Sequence, residues 1–388
     1  MRRTYEEINK KIKKGDAVVL TAEEVIDVVE RDGIEKATKE VDIVTTGTFG
    51  AMCSSGAFIN FGHSEPPIKM AKVWLNDVPA YTGIAAVDAY IGATELREDG
   101  DMSYGGAHVI EDLIARKPVR LRATAYGTDC YPRKEIDTYI SLSTVNQAYM
   151  YNPRNAYQNY GVATNSSEKT LFTYMGKLLP KYGNATYSSA GQLSPLLNDP
   201  HLRTIGIGTR IFLGGAQGYV AWEGTQYKTS PPERNGVPTG SARNLAVVGD
   251  LREMSPEFIR ALVFNKYGTT LGVGIGVPIP ILDEEMMKCV SIKDSEIFAP
   301  VLDYSVQSRD RQAIREVSYS ELRSGGIEVG GKKVRTSSLS SYSKARLIAE
   351  TLKKSVQEGR FLLTEPVARL PEERTMNLLD LHSREEVA

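Results

Sequence analysis

Apolar residues recur every three to four positions at the start of the chain. "TYEEINKKIKKGDAVVLTAEEVIDVVERDG" predicts a charged amphipathic helix, a Gly-Asp turn, and a second helix capped by Thr21 with Glu23 and Glu24 in its first turn. "VDIVTTGTFGA" then reads as a buried strand running into a glycine turn, with Cys53 just past it. "GIAAVDAYIGATEL" alternates small and apolar residues and fits strand or helix. "GGAHVIEDLIARKP" has helical spacing with Pro118 beyond its end. "VRLRATAYGTDCYPRKEIDTYISLSTV" predicts two strands around a polar turn that holds Cys130.

In the middle, "NQAYMYNPRNAYQNYGVATNSS" is rich in Tyr and Asn and predicts long ordered loops. "RTIGIGTRIFLGGAQGYVAWEGTQY" gives strand-like segments cut by glycines, and "KTSPPERNGVPTGSARN" an exposed loop. "NLAVVGDL" reads as a buried strand, "SPEFIRALVFNKY" as a helix capped by Ser255, and "TLGVGIGVPIPIL" as a strand in close backbone contact with its neighbours. The last quarter predicts a hairpin with a Gly-Gly turn at 330–331 and a basic-faced helix from about 341 to 357. The expected fold class is α/β: a mixed sheet core with helices, glycine-rich strand-turn elements carrying the cysteines, and a small C-terminal α+β lobe. The expected division is 1–310 as the main domain, 311–371 as the lobe and 372–388 as a tail.

Charge narrows the function. Lys plus Arg number 47 and Asp plus Glu 48, with no basic stripe, which argues against a nucleic-acid partner. No apolar run approaches the roughly 20 residues that cross a bilayer, and "MRRTYEEINKKIKKGD" lacks the apolar core of a signal peptide. A soluble cytoplasmic protein, away from membranes, is expected. Neither GxxxxGK[ST], a strand-linked GxGxxG, GxSxG nor HExxH occurs, so nucleotide, serine-hydrolase and zinc chemistry have no positive sign, and no metal site is expected.

Three cysteines, 53, 130 and 289, are too few and too scattered for a disulfide framework. Cys53 lies in "GAMCSSG", compatible with a nest of backbone N–H groups, with Ser54 and Ser55 as hydrogen-bond donors to a thiolate and as expected substrate-binding residues. Cys130 lies in "GTDCYPRKE", where Arg133 and Lys134 favour a thiolate and Asp129 opposes it. From local sequence alone, a small packed residue is the favoured reading of each, because small buried cysteines are common. Cys289 in "EEMMKCVSI" fits an apolar helix face. His63 in "NFGHSEPP" is a turn residue or a proton carrier, and His108 has the same two readings near a helix start.

The segments "TTGTFGAMCSSGAFINFGHSEPPIK", "GAHVIEDLIARKPVRLRATAYGTDCYPRKE", "TRIFLGGAQGYVAWEGTQ", "GVGIGVPIPIL" and "SYSELRSGGIEVGGKKVRTSSLSSYSKARLIAETLK", in that order, resemble the homocysteine biosynthesis family, whose assigned activity is L-aspartate semialdehyde sulfurtransfer. The resemblance implies a two-cysteine mechanism on Cys130 and Cys53. Sulfide-derived sulfur is carried as a persulfide on Cys130 and attacks the aldehyde of L-aspartate semialdehyde, and closure of the two thiols to a disulfide supplies electrons. It also implies a ferredoxin-like iron–sulfur protein as reductant, on a separate chain because no CBS or ferredoxin module is expected here. Beside it, Arg133 is the expected partner of the substrate carboxylate, Asp129 of the ammonium, and His63 the proton carrier. Two alternatives stay open: a [4Fe-4S] cluster held by Cys53, Cys130 and Cys289, and a non-enzymatic metabolite-binding protein. A homo-oligomer is compatible with all of them.

Overall fold

The computed structural model describes residues 3–155, 160–374, 376, 377 and 379. Most of the expected tail, including His382, lies outside them. The fold is mixed α/β, with eight α-helices among the described residues. Its centre is a nine-stranded sheet built from β1 (Thr48–Ala51), β2 (Gly56–Asn60), β3 (Asp88–Gly92), β4 (Gln147–Asn155), β5 (Arg210–Leu213), β6 (Ala216–Glu223), β7 (Leu245–Asp250), β8 (Ile259–Phe264) and β9 (Gly268–Gly276). Its order is β8-β9-β5-β6-β7-β4-β2-β3, with β1 also paired to β9, and every pairing is antiparallel.

One face of this sheet is the main core. Ala57, Ile59, Ala148 and Met150 are buried there, in one cluster with Val109, Ile110 and Leu113 of helix α1 (Gly106–Ile114). A four-stranded sheet wraps the other side of that helix, ordered 78–80, 72–75, 119–124, 135–140. Cys130 is on the loop joining its last two strands, Val119–Thr124 and Glu135–Ile140, where it was expected. A six-stranded mixed sheet joins Val162–Thr164, Ala185–Tyr187 and Phe298–Asp303 to Ala313–Ser318, Gly326–Val329 and Lys332–Ser338. The 311–371 segment thus contributes strands to a sheet it shares with the middle of the chain, and then helix α2 (Tyr342–Gln357).

The glycines of "GVGIGVP" seat that helix. A Cβ on Gly274 would come within 2.8 Å of Ile348, and one on Gly276 within 2.9 Å of Ile348 and 2.8 Å of the Thr46 carbonyl. Gly47 is tighter still, with the Ala345 carbonyl 2.2 Å from the position of an added Cβ. Glycine here serves close backbone approach.

The N-terminal reading holds. Gly15 ends the first helix, Tyr5–Lys14, in the left-handed region at φ 77°, and the Thr21 Oγ accepts from the Glu24 amide at 3.3 Å. A third helix, Ile34–Glu40, follows the second and was not anticipated. Two expectations are overturned. Residues 147–155 form the central strand β4 where loops were expected, because Ala148, Met150 and Asn152 alternate inward and tyrosines suit the pleat. The helix expected after Ser255 is strand β8. The Ser255 carbonyl accepts turn bonds from Phe258 (3.0 Å) and Ile259 (3.1 Å) and its Oγ one from the Glu257 amide (3.2 Å), and "IRALVF" then pairs along its whole length with β9. Tertiary pairing here outweighs the helical spacing of a short apolar run. No described helix is long and apolar enough to cross a membrane.

Candidate active site

Cys53 sits on the turn between β1 and β2, exposed at the mouth of a small cavity of about 70 Å³. A buried side chain from β4 builds this turn. Asn152, with no exposed surface, donates from Nδ2 to the Ser55 Oγ at 3.1 Å and contacts the Met52 sulfur at 3.1 Å. Its Oδ1 accepts from the Ser54 Oγ at 3.0 Å and from the Arg154 amide at 2.9 Å. The Met52 amide donates to the Leu271 carbonyl at 2.7 Å, and the Ser55 amide closes the turn onto Met52 at 3.1 Å. Burying an amide is tolerable only when its hydrogen bonds are made, and Asn152 makes them on the residues around the thiol. Ser54 and Ser55 were expected as substrate-binding residues. Ser54 lines the cavity, while its hydroxyl points to Asn152 and the Arg154 carbonyl (2.8 Å), and Ser55 is 1% exposed.

The cavity walls come from six parts of the chain: the Cys53 turn, Arg154 and Tyr160, Tyr174 and Met175, Ser188, Phe264 to Thr270, and Leu339 with Ser340. They are mostly aromatic and apolar. Arg154 is the single charged lining residue, and no described carboxylate pairs with it. A guanidinium at an apolar wall is a ready partner for a carboxylate. Burial pushes the Tyr160 phenol up to about 12, so it stays protonated as a donor at neutral pH. The Tyr174 hydroxyl pairs with that of Tyr304 at 2.9 Å, and burial raises the Tyr304 phenol further. The Thr270 Oγ, buried in the wall, has no hydrogen-bond partner among the described residues. An unpaired buried hydroxyl costs free energy unless something in the cavity answers it.

Cys130 is elsewhere. It is exposed on its hairpin, its sulfur 3.6 Å from the Thr128 hydroxyl, and it is not among the cavity's lining residues. The Tyr131 ring stacks on His63 with centroids 5.9 Å apart and planes 23° from parallel. Arg133 donates to the carbonyls of Glu65 (2.6 Å) and Pro66 (3.0 Å), clasping the His63 segment. Its sequence neighbour Asp129 shares the exposed turn. Thus Cys130, His63, Arg133 and Asp129 form one local group, while Cys53 and Arg154 form another. Strand β2 runs between them: Cys53 precedes its first residue and His63 follows its last. At about 3.3 Å per residue, those five residues span roughly 13 Å.

Cys289 lies on the helix Glu284–Val290, apart from both. Burial pushes its thiol up to about 11. Among the described residues, no three His, Cys, Asp or Glu side chains gather as a metal-holding group. The three thiols occupy three separate places, so a cluster shared by all of them does not fit this fold. His108 is at the start of α1, its Nδ1 accepting from the Gly105 amide at 3.2 Å, and burial lowers its pKa.

The sequence profile of the family described as "Homocysteine biosynthesis enzyme, sulfur-incorporation" matches residues 17–363. The chain belongs to that family. A Methanosarcina acetivorans protein named L-aspartate semialdehyde sulfurtransferase is 55% identical over 96% of this chain and 72% of its own length. A Methanocaldococcus jannaschii protein of the same name is 55% identical over 95% of the chain and 73% of its own length. An uncharacterized Methanothermobacter thermautotrophicus protein is 32% identical over 84% of the chain. No solved structure matches. Within this sulfur-incorporation family, Arg154 and Asn152 are residues the sequence reading missed. The available signal was "YNPRN": an arginine inside a tyrosine-rich alternating run, visible only once the run is read as a strand.

Proposed function

We propose that the chain is an L-aspartate semialdehyde sulfurtransferase that makes homocysteine from the aldehyde and sulfide. The observation that carries this is the 55% identity, over nearly the whole chain, to two relatives bearing that name. A cavity with a thiol at its mouth and one guanidinium that has no carboxylate partner among the described residues supports it, because the substrate is a small carboxylate with an electrophilic carbon.

The proposed cycle starts from a Cys53–Cys130 disulfide. Hydrosulfide attacks the Cys130 sulfur, forming a persulfide there and releasing the Cys53 thiolate. The terminal sulfur adds to the aldehyde carbon while the carbonyl oxygen takes a proton, for which His63 is the proposed carrier. The Cys53 thiolate then attacks the Cys130 sulfur, restores the disulfide and leaves the substrate sulfur on carbon as a thiohemiacetal. To this point aldehyde and hydrosulfide have combined without net redox change. Loss of water gives a thioaldehyde. An external donor, proposed as a ferredoxin-like iron–sulfur protein, opens the disulfide with two electrons and two protons. The dithiol passes these to the thioaldehyde, giving the thiol and the disulfide again. Arg154 is the proposed partner of the substrate carboxylate and Asp129 of its ammonium. Arg133 shapes the His63 segment.

The test is homocysteine formation by the purified protein from L-aspartate semialdehyde, sulfide and a low-potential reductant under anaerobic conditions. Product formed by the wild type and lost in folded Cys130→Ala supports the reading. Product formed equally by Cys130→Ala sinks the two-thiol cycle, and no product from the wild type sinks the activity.

A further inference from the structure

The sheet face opposite the main core carries two rows of aromatic side chains across the strands. In the first, the register aligns Tyr90, Phe58 and Tyr149 across β3, β2 and β4. In the second, Tyr151, Val248 and Tyr219 follow across β4, β7 and β6, and Trp222 lies beside them. Phe58 is 39% exposed, Tyr149 41% and Trp222 59%. The rows interlock: the Phe58 ring centre is 4.7 Å from that of Tyr90 and 6.2 Å from that of Tyr151. The Tyr90 hydroxyl lies 2.1 Å from where a Cβ on Gly56 would be, so Gly56 leaves the space that lets the ring lie flat on the sheet. Monomers rarely expose so contiguous an apolar patch, and Tyr, Trp and Phe are the residues enriched at interface centres.

The two thiols flank this patch at opposite ends of β2. Cys53 is at the Gly56 end; Cys130, through Tyr131 on His63, is at the Asn60 end. Their Cα atoms must approach within about 7 Å to close a disulfide. The roughly 13 Å length of the strand between the two ends exceeds that reach.

We infer that the chain works as a twofold dimer packed through the aromatic rows, in which Cys130 of one copy meets Cys53 of the other. The symmetry follows from the layout. A twofold axis running along the first row, across the strands, lays Tyr90, Phe58 and Tyr149 over their own copies, which is the self-complementary contact an isologous interface requires. The same rotation turns the second copy face down and reverses its strands, so its Cys130 end covers the first copy's Cys53 end. An axis along the strands would pair like ends and leave both thiols without partners. The second copy is the occupant that both covers the patch and completes the site.

The inference rests on the reading that both cysteines act on one sulfur, and the experiment separates the two. Cys53→Ala and Cys130→Ala proteins are prepared singly, each inactive under that reading, then mixed under conditions of subunit exchange. In a mixed dimer one of the two shared sites keeps both thiols, so activity returns to about a quarter of wild type. Wild type that is active, single variants that are dead, and a mixture that stays dead after exchange is verified by mass would overturn the inference while leaving the activity intact. A readout independent of turnover is crosslinking by diamide. Wild type should give a dimer on a non-reducing gel through a Cys53–Cys130 peptide identified by mass spectrometry, absent from either single variant. The same linkage found within one chain overturns the proposal. Phe58→Asp and, separately, Tyr149→Asp should convert dimer to monomer by sedimentation with unchanged circular dichroism, and abolish both crosslink and activity. A wild type that is monomeric and fully active at nanomolar concentration, or a stripe covered by another protein instead, also overturns it.

Discussion

The Cys53 turn and the Cys130 hairpin are the same chemical group placed in opposite ways. Cys53 is held by a buried amide from another strand and faces walls drawn from six stretches of sequence. Cys130 is held by its own hairpin, a neighbouring threonine and an arginine clasp on one adjacent loop. The first environment is rigid and selective; the second is exposed and presentable. A thiol that must select a substrate suits the first, and one that must collect sulfide and reach a partner suits the second.

The largest test of that contrast removes the sulfurs. Cys53→Ala and Cys130→Ala should each lower the rate of homocysteine formation on the order of 10³-fold or more, as loss of a covalent participant does, without shifting the melting temperature. Equal losses sharpen the pairing; survival of either variant breaks it. Next in size is Arg154→Ala, which removes a charge-assisted bond from the cavity alone. It should raise KM for the aldehyde about 10- to 100-fold with kcat less affected, and Arg154→Lys should recover part of the loss. The hairpin counterpart, Arg133→Ala, should leave that KM within a few fold.

Stability should divide along the same line. Asn152→Ala strands the buried Ser55 hydroxyl and the Arg154 amide and should lower unfolding free energy by about 2 kcal/mol in a denaturant titration, whereas Thr128→Ala on the hairpin should cost no more than about 0.5 kcal/mol. The smallest effect concerns Cys289. Its thiol is raised to about 11, so at pH 8 its thiolate fraction is minute and grows tenfold with each pH unit up to that value. Iodoacetamide mapped by mass spectrometry at pH 8 should label Cys53 and Cys130 first, and Cys289→Ala should leave turnover unchanged.

Much of this was legible in the chain. The Cys130 hairpin, the Gly-Gly turn at 330–331 and the 342–357 helix are local structures whose causes lie within a few residues, so reading along the sequence finds them. Strand β8 was misread because a short apolar run fits either periodicity until its partner is known, and β4 because its tyrosines and asparagines resemble loop composition. Arg154 escaped for the same reason: its importance depends on a cavity whose walls also draw on the Cys53 turn, Phe264 and Leu339, far from it in sequence. Cys53 was visible only through family resemblance, since a glycine-serine turn explains its neighbours without chemistry.

That dispersal has a consequence for how the protein comes into being. A nascent chain can form the Cys130 hairpin as soon as residue 140 has emerged, but the cavity beside Cys53 lacks part of its wall until Leu339 and Ser340 have been synthesised. Closing loops that long is slow, and the ordering of the site must trail the ordering of much of the chain. The helix seated on Gly47, Gly274 and Gly276 begins two residues later. Maturation of the pocket is therefore late in the ordering of the chain, and a product stopped before residue 339 would carry both thiols while lacking part of the wall beside Cys53.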